Sequence, residues 1–265
     1  MADRYAVIGN PVAHSKSPWI HAEFGRACGE DIEYQRIEAP LEGFAGAVDA
    51  FRAAGGKGLN VTLPFKEAAY QYCDRLSARA RAAGVVNTLA FGSEVGGDNT
   101  DGIGLVRDLS SNLGLSLANK QVLLMGAGGA AQGVAGALLE KGIAGLVIAN
   151  RTVARAQALA ARFPGASASS YDALAGEDFD LVINATSAGL SGDAPTLPAG
   201  ILRRGALAYD MVYGRDTPFL VAARAAGARA SDGLGMLVEQ AAESFFVWRG
   251  IRPDTRPVLA GLRAA

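Results

Sequence analysis

Residues 121–139 read QVLLMGAGGAAQGVAGALL. Four large apolar residues, Val122 to Met125, run directly into Gly126-Ala127-Gly128-Gly129-Ala130-Ala131, and an alanine-rich segment follows. The order is that of a strand, a tight turn and a helix start, and it carries G-x-G-x-x-A in the context that a dinucleotide phosphate cradle requires. The first glycine permits the turn, the second lets the backbone approach a pyrophosphate, and Ala131 allows the helix to pack closely on the strand, with the helix N-terminus facing the anion. A glycine-rich turn in an ordinary α/β protein has the same letters, so the next strand has to discriminate. Val122 to Leu139 holds a single polar side chain, Gln132, and approaches membrane-spanning length; its five glycines argue against a spanning helix, and no membrane association is expected.

The next strand, Gly145 to Ala149, ends on Asn150 and Arg151, where an NAD site normally offers a carboxylate to the ribose hydroxyls. Arg151 and Arg155 lie one helical turn apart and follow the strand together with Thr152. Two guanidinium groups there suit a ribose phosphate, which a carboxylate would repel. NADP is therefore the expected cofactor. A lone arginine in this place would read as a solvated surface residue.

Outward from this unit the chain keeps its rhythm. A helix at Ala154 to Arg162 and strands at Asp180 to Ile183 and Leu207 to Met211 complete a second alternation, whose unbroken apolar runs suit parallel strands covered on both faces. An earlier alternation comprises Tyr5 to Ile8, a helix from about Pro18 with Ser17 as its cap, Tyr34 to Ile37, a helix from about Leu41, and Gly58 to Val61. Pro64 stands where a new helix can begin. Turn-rich Gly96 to Gly102 separates the halves and is the expected hinge. The last long helical pattern, Gly235 to Trp248, places Leu237, Val238, Ala241, Phe245 and Trp248 on one side. The fold class is α/β with two domains: a substrate-binding domain with a mainly parallel sheet over 1–102 plus about 236–265, and a Rossmann-like doubly wound NADP domain over 103–235.

The bulk properties narrow the partners. In 265 residues, 25 Lys plus Arg nearly balance 26 Asp plus Glu, which gives no electrostatic footprint for nucleic acid and leaves a small molecule as the better ligand. Cys28 and Cys73 are distant from each other, and His14 and His21 have no cysteine nearby. Neither a disulfide framework nor a metal site is indicated, and with no export signal the expected compartment is the cytoplasm.

Three polar clusters are candidates for chemistry. Asn60-Val61-Thr62-Leu63-Pro64-Phe65-Lys66 sets Asn60 and Thr62 on one strand face and a lysine just past the strand. Asn99-Thr100-Asp101-Gly102 adds a carboxylate. Taken singly, Lys66 is an exposed first-turn lysine and Asp101 belongs to an Asp-Gly turn; together they supply what carbonyl reduction needs, a proton donor and charge stabilisation at a developing alkoxide. Ser15 and Ser17, two residues apart ahead of a helix, offer hydroxyls to a carboxylate.

The chain resembles the shikimate dehydrogenase family over nearly its whole length, through GNPVAHSKSP (9–18), NVTLPFK (60–66), VNT (86–88), GDNTDGIG (97–104), GAGGAA (126–131), NRT (150–152), NATSAG (184–189), DMVY (210–213) and GLGMLVEQAAESF (233–245). The resemblance implies that Lys66 and Asp101 form a catalytic pair, that Ser15 and Ser17 meet the substrate carboxylate, and that Asn60, Thr62, Asn87 and Gln240 surround its hydroxyls, with Tyr213 at the border. It also implies that Gly126, Gly128, Gly129 and Ala130 hold the pyrophosphate and Asn150, Arg151, Thr152 and Arg155 the adenosine phosphate end, while Thr186, Ser187, Met211 and Gly235 lie near the cofactor. The implied reaction is reversible: NADPH reduces the ring ketone of 3-dehydroshikimate to shikimate, Lys66 gives the proton and Asp101 positions it. A monomer or homodimer serving aromatic amino acid biosynthesis is the implied setting. An NAD-using quinate/shikimate dehydrogenase, disfavoured by Arg151, and a non-catalytic dinucleotide or shikimate sensor, disfavoured by retention of both Lys66 and Asp101, are the competing readings.

Overall fold

The computed structural model describes residues 2–186 and 197–264. Its chain divides into two units, Met1–Gly104 with Leu237–Ala265, and Leu105–Met236. In the first, strand β1 (Asp3–Gly9) lies between β2 (Ile32–Glu38) and β3 (Gly56–Val61), parallel to both. Helix α1 (Ser17–Cys28) links β1 to β2, and α2 (Phe44–Ala53) links β2 to β3. After α3 (Lys66–Tyr72), β4 (Arg75–Leu76) and α4 (Ala78–Ala83), the chain turns antiparallel: β5 (Thr88–Phe91) pairs with β3 on one side and with β6 (Val95–Asp98) on the other. The sheet order is β2-β1-β3-β5-β6-β4, with three of its five pairings parallel.

Three local expectations need correction. Gly96 to Asp98 belongs to strand β6 and is no turn; a Cβ on Gly97 would stand 2.4 Å from Cys73 Sγ, so glycine serves close packing there. Ser17 is the first residue of α1 and does not cap it. Lys16 occupies the cap position without a side-chain bond, and it is Ser15 Oγ that accepts the Ser17 N–H, at 3.2 Å. The helix after Pro64 starts two residues later, at Lys66, with Phe65 at the cap.

The second unit opens with α5 (Asp101–Arg107), shared across the division, which continues as a π-helical turn, Asp108–Asn112. It then alternates β7 (Gln121–Met125), α6 (Gly129–Leu139), β8 (Gly145–Ala149), α7 (Val153–Ala160), β9 (Ala166–Ser169), β10 (Leu181–Asn184), β11 (Leu207–Asp210), α8 (Pro218–Ala225) and β12 (Arg229–Asp232). All pairings in this sheet are parallel, in the order β12-β11-β10-β7-β8-β9. Strand β7 shows why its sequence is apolar throughout. Val122 and Leu124 pack into one core with Val134, Leu138 and Ile148, whereas Leu123 and Met125 pack into the opposite core with Phe179, Val182 and Phe219. The central strands of such a sheet have two dry faces. The last helices are α9 (Leu234–Arg249) and α10 (Arg256–Ala264). Helix α9 is not one-sided as its sequence suggested, because Glu239, Gln240, Glu243 and Ser244 are buried along with its apolar residues.

His21, on α1, is fully buried and stacks flat on Tyr34 of β2, with ring centroids 4.3 Å apart. Phe24, Phe245 and Trp248 complete the aromatic wall. Asn60 lies near enough to favour the charged ring slightly, yet neither ring nitrogen makes a hydrogen bond, and burial lowers the imidazole pKa to about 3. Between pH 6.5 and about 3 the unfolded chain therefore takes up a proton that the folded chain refuses, and stability falls as pH falls. His21→Phe keeps the stack and removes this linkage. Relative to wild type, it should gain about 3 kcal/mol in unfolding free energy between pH 7.5 and pH 4.5, measured by urea titration at both values; a pH-independent difference would contradict the assignment.

Candidate functional site

Two helix starts supply the charged pair of the first unit. Lys66 opens α3 and Asp101 opens α5. An aspartate suits the positive end of a helix and a lysine does not, so Lys66 sits against the local dipole preference and is held by its partner. Its Nζ lies 2.5 Å from Asp101 Oδ2, with the lysine side chain 16% and the aspartate side chain 7% exposed.

The carboxylate is fixed from its other side by Asn87, the residue just ahead of β5. Asn87 Nδ2 donates to Asp101 Oδ1 at 2.9 Å and lies the same distance from Thr100 Oγ1; Gln240 Oε1 of α9 is 3.3 Å away. Its Oδ1 accepts from the Thr100 N–H and from Thr88 Oγ1, each at 2.8 Å. The Asp101 N–H donates to Asn99 Oδ1 at 3.2 Å. Below this layer, Asn60 Nδ2 reaches Ser244 Oγ at 2.9 Å and the Asn87 carbonyl at 3.2 Å, and Asn60 Oδ1 accepts from Tyr34 OH at 2.8 Å. Asn60, Asn87, Thr88, Thr100 and Ser244 are all buried, so these bonds replace water almost completely. Thr62, half-buried, stands just past the end of β3.

Ser15 and Ser17 are buried with their hydroxyl oxygens 3.2 Å apart. A second brace carries the strand leading to Asp101: Arg79 grips Asp98 with Nε and Nη2, both at 2.7 Å, and Glu243 of α9 with Nη1 at 2.8 Å. Neither Arg79 nor Glu243 was singled out from the sequence, and Thr88, Thr100 and Ser244 lay inside the quoted strings without being read as partners.

In the second unit Gly126 adopts φ +105°, a conformation that L side chains rarely tolerate, and a Cβ there would stand 3.1 Å from the Ala185 carbonyl oxygen. A Cβ on Gly128 would meet nothing within 4 Å. Gly128 caps α6 with no side-chain bond, and Gly129 and Ala130 form its first turn. An uncapped first turn beside open space at the second glycine fits a pyrophosphate. Ala131 is fully buried, as close helix–strand packing demands. Arg151, Thr152 and Arg155 are exposed, and among the described residues neither arginine is in an ion pair. Asn150 Nδ2 donates to the Thr152 carbonyl at 2.9 Å and ties this loop.

The ends of β10 and β11 are organised by a buried carboxylate that sequence reading passed over. Asp210 accepts from Thr217 Oγ1 at 2.5 Å, from the Val212 N–H at 3.0 Å and from Asn184 Nδ2 at 3.2 Å, and burial raises its pKa despite these bonds. Asn184 Oδ1 in turn holds Thr186 through its hydroxyl at 2.7 Å, and the Met211 N–H donates to the Asn184 carbonyl. Half-buried Tyr213 follows in the same segment. Ser187 lies outside the described residues. Gly235 has a packing reason of its own, since a Cβ would come within 1.9 Å of Asp108 Oδ1, a buried carboxylate whose other oxygen accepts from Tyr209 OH at 2.6 Å.

A two-unit α/β protein with a dinucleotide-type parallel sheet in one unit and a buried aspartate paired with a partly buried lysine in the other is the class that these features define. Family models match residues 7–89 (shikimate dehydrogenase substrate binding domain), 108–191 (shikimate/quinate 5-dehydrogenase) and 233–263 (shikimate 5'-dehydrogenase C-terminal domain). A shikimate dehydrogenase (NADP(+)) of Methylobacillus flagellatus is 57% identical, over 99% of this chain and 100% of its own. Among solved structures, an Ael1 enzyme from Pseudomonas putida superposes with a TM-score of 0.93 at 50% identity, covering 98% of both chains. A Thermus thermophilus shikimate 5-dehydrogenase in complex with NADP(H) and shikimate does so with 0.89 at 39% identity, covering 99% of both. The chain belongs to the shikimate dehydrogenase family.

Two glycines should respond oppositely to the same change. Gly128→Ala should melt within about 2 °C of wild type and weaken NADPH binding at least about tenfold, read by fluorescence titration, because its methyl enters only open space. Gly235→Ala should lose about 1–3 kcal/mol of stability by overpacking. Equal effects on melting would contradict this division.

Proposed function

We propose that this chain is an NADP-dependent shikimate dehydrogenase, interconverting 3-dehydroshikimate and shikimate in the cytoplasm, as a monomer or homodimer. The observation that carries the chemistry is the 2.5 Å contact between Lys66 and Asp101, with Asn87 fixing the second carboxylate oxygen. The free state of both cysteines agrees with a reducing compartment, and among the described residues no helix is long and apolar enough to cross a membrane.

NADPH, when bound, supplies the hydride that reduces the ring ketone. Gly126, Gly128, Gly129 and Ala130 hold its pyrophosphate, Arg151 and Arg155 with Asn150 and Thr152 meet the ribose phosphate, and Thr186, Met211 and Gly235 flank the rest. Ser15 and Ser17 receive the substrate carboxylate as hydrogen-bond donors. Thr62, Asn87 and Gln240 face the ring hydroxyls, and Tyr213 borders the ring. Asn60 acts mainly from beneath, because its amide is already engaged by Tyr34, Ser244 and Asn87.

Lys66 gives its proton to the carbonyl oxygen as negative charge develops there and takes it back in the reverse direction. Asp101 aims the ammonium group and accepts from a neighbouring substrate hydroxyl. Loss of the amine removes a general acid without touching the cofactor site. Lys66→Ala should therefore lower kcat for shikimate oxidation by about 10²–10⁴-fold while the NADPH dissociation constant stays within about twofold; near-normal turnover would refute the assignment.

A further inference from the structure

The serine pair at residues 15 and 17 is neutral, yet the proposed substrate is an anion. What stands behind the pair is strand β2. Tyr34 and Arg36 are two residues apart and share one face of that strand. Tyr34 OH donates to Asn60 Oδ1 at 2.8 Å. Arg36 donates from both Nε, at 3.1 Å, and Nη2, at 2.6 Å, to the main-chain carbonyl of Ser15.

Arg4, Arg52 and Arg81 of this unit also donate to main-chain carbonyls, each through one nitrogen, whereas Arg36 commits two nitrogens to a single one. Arg79, Arg249 and Arg252 all hold carboxylates. Among the described residues no carboxylate is paired with Arg36, whose fork is spent on a neutral acceptor. Two consequences follow. The bidentate bond fixes the peptide after Ser15, and with it the 3.2 Å spacing of the two hydroxyls. The guanidinium also keeps its whole charge within a few bonds of those hydroxyls, where it attracts an anion that it does not touch.

We infer that Arg36 is a positioning and specificity residue for the substrate carboxylate: it sets the Ser15 loop and supplies the positive field that lets two neutral hydroxyls select an acid. The inference rests on the reading that Ser15 and Ser17 receive that carboxylate. Arg36 is exposed, and solvent tempers its field, so the expected effect is about tenfold and not thousands.

The test compares shikimate with its methyl ester, which keeps the ring and hydroxyls and lacks the charge. In wild type kcat/KM should favour the acid. Arg36→Gln should lower this preference about tenfold, through KM for the acid, with KM for NADP unchanged. Arg36→Lys keeps a cation and should hold the preference within about threefold of wild type. A loss that falls equally on acid and ester would overturn the inference, because a merely structural arginine predicts it. Ser15→Ala separates the two levels: if it also leaves the preference intact, the serine reading itself fails; if it abolishes the preference and the Arg36 variants do not, only the inference fails. Should Arg36→Gln not fold, the lysine variant decides alone, and a folded Arg36→Lys protein that has lost the preference contradicts a role for charge.

Discussion

A carboxylate can stay buried only when both of its oxygens are satisfied, and that requirement on Asp101 organises the first unit. One oxygen takes the Lys66 ammonium group and the other takes Asn87, which in turn fixes Thr88, Thr100 and the reach of Gln240. Strand β5, helix α5 and helix α9 thus meet in one layer of hydrogen bonds. Each bond is ordinary in strength; removing one member strands several buried partners, at about 1–3 kcal/mol apiece. Preorganisation follows, since groups already bonded to one another need little rearrangement when charge develops beside them.

The second unit uses the same device for a different purpose. Asp210 is buried among Thr217, Asn184 and the Val212 N–H, and it braces the ends of β10 and β11, where Thr186, Met211 and Tyr213 emerge. Asp108 does the same under Gly235, through Tyr209. In the bonds given above, these carboxylates hold groups of the second unit itself. Their service is to hold loops in place, and the raised pKa of Asp210 reflects burial and not catalysis.

How far the sequence was legible depended on what each segment has to satisfy. Strands β7, β8, β10 and β11 announced themselves because two dry faces demand unbroken apolar runs. Edge strands β9 (ASAS) and β12 (RASD) carry no such demand and were silent. The β5–β6 hairpin was hidden for a different reason: its glycines imitate a turn, whereas Gly97 is there to admit Cys73. Lys66 and Asp101 were visible as polar residues at element starts, but their meeting is a tertiary fact across 35 positions. Tyr34, Arg36 and Ser244 gave no local signal, because a strand tyrosine, a strand arginine and a helical serine look alike whether or not they serve a site.

The claim at the centre is that Lys66 and Asp101 work as one unit. A double-mutant cycle on kcat/KM for shikimate oxidation, with Lys66→Ala, Asp101→Ala and the combination, reads this directly. The account predicts that the double variant is within about tenfold of the more damaged single variant. Losses that multiply, each substitution subtracting its full effect in the presence of the other, would mean that the two groups act independently and would contradict it.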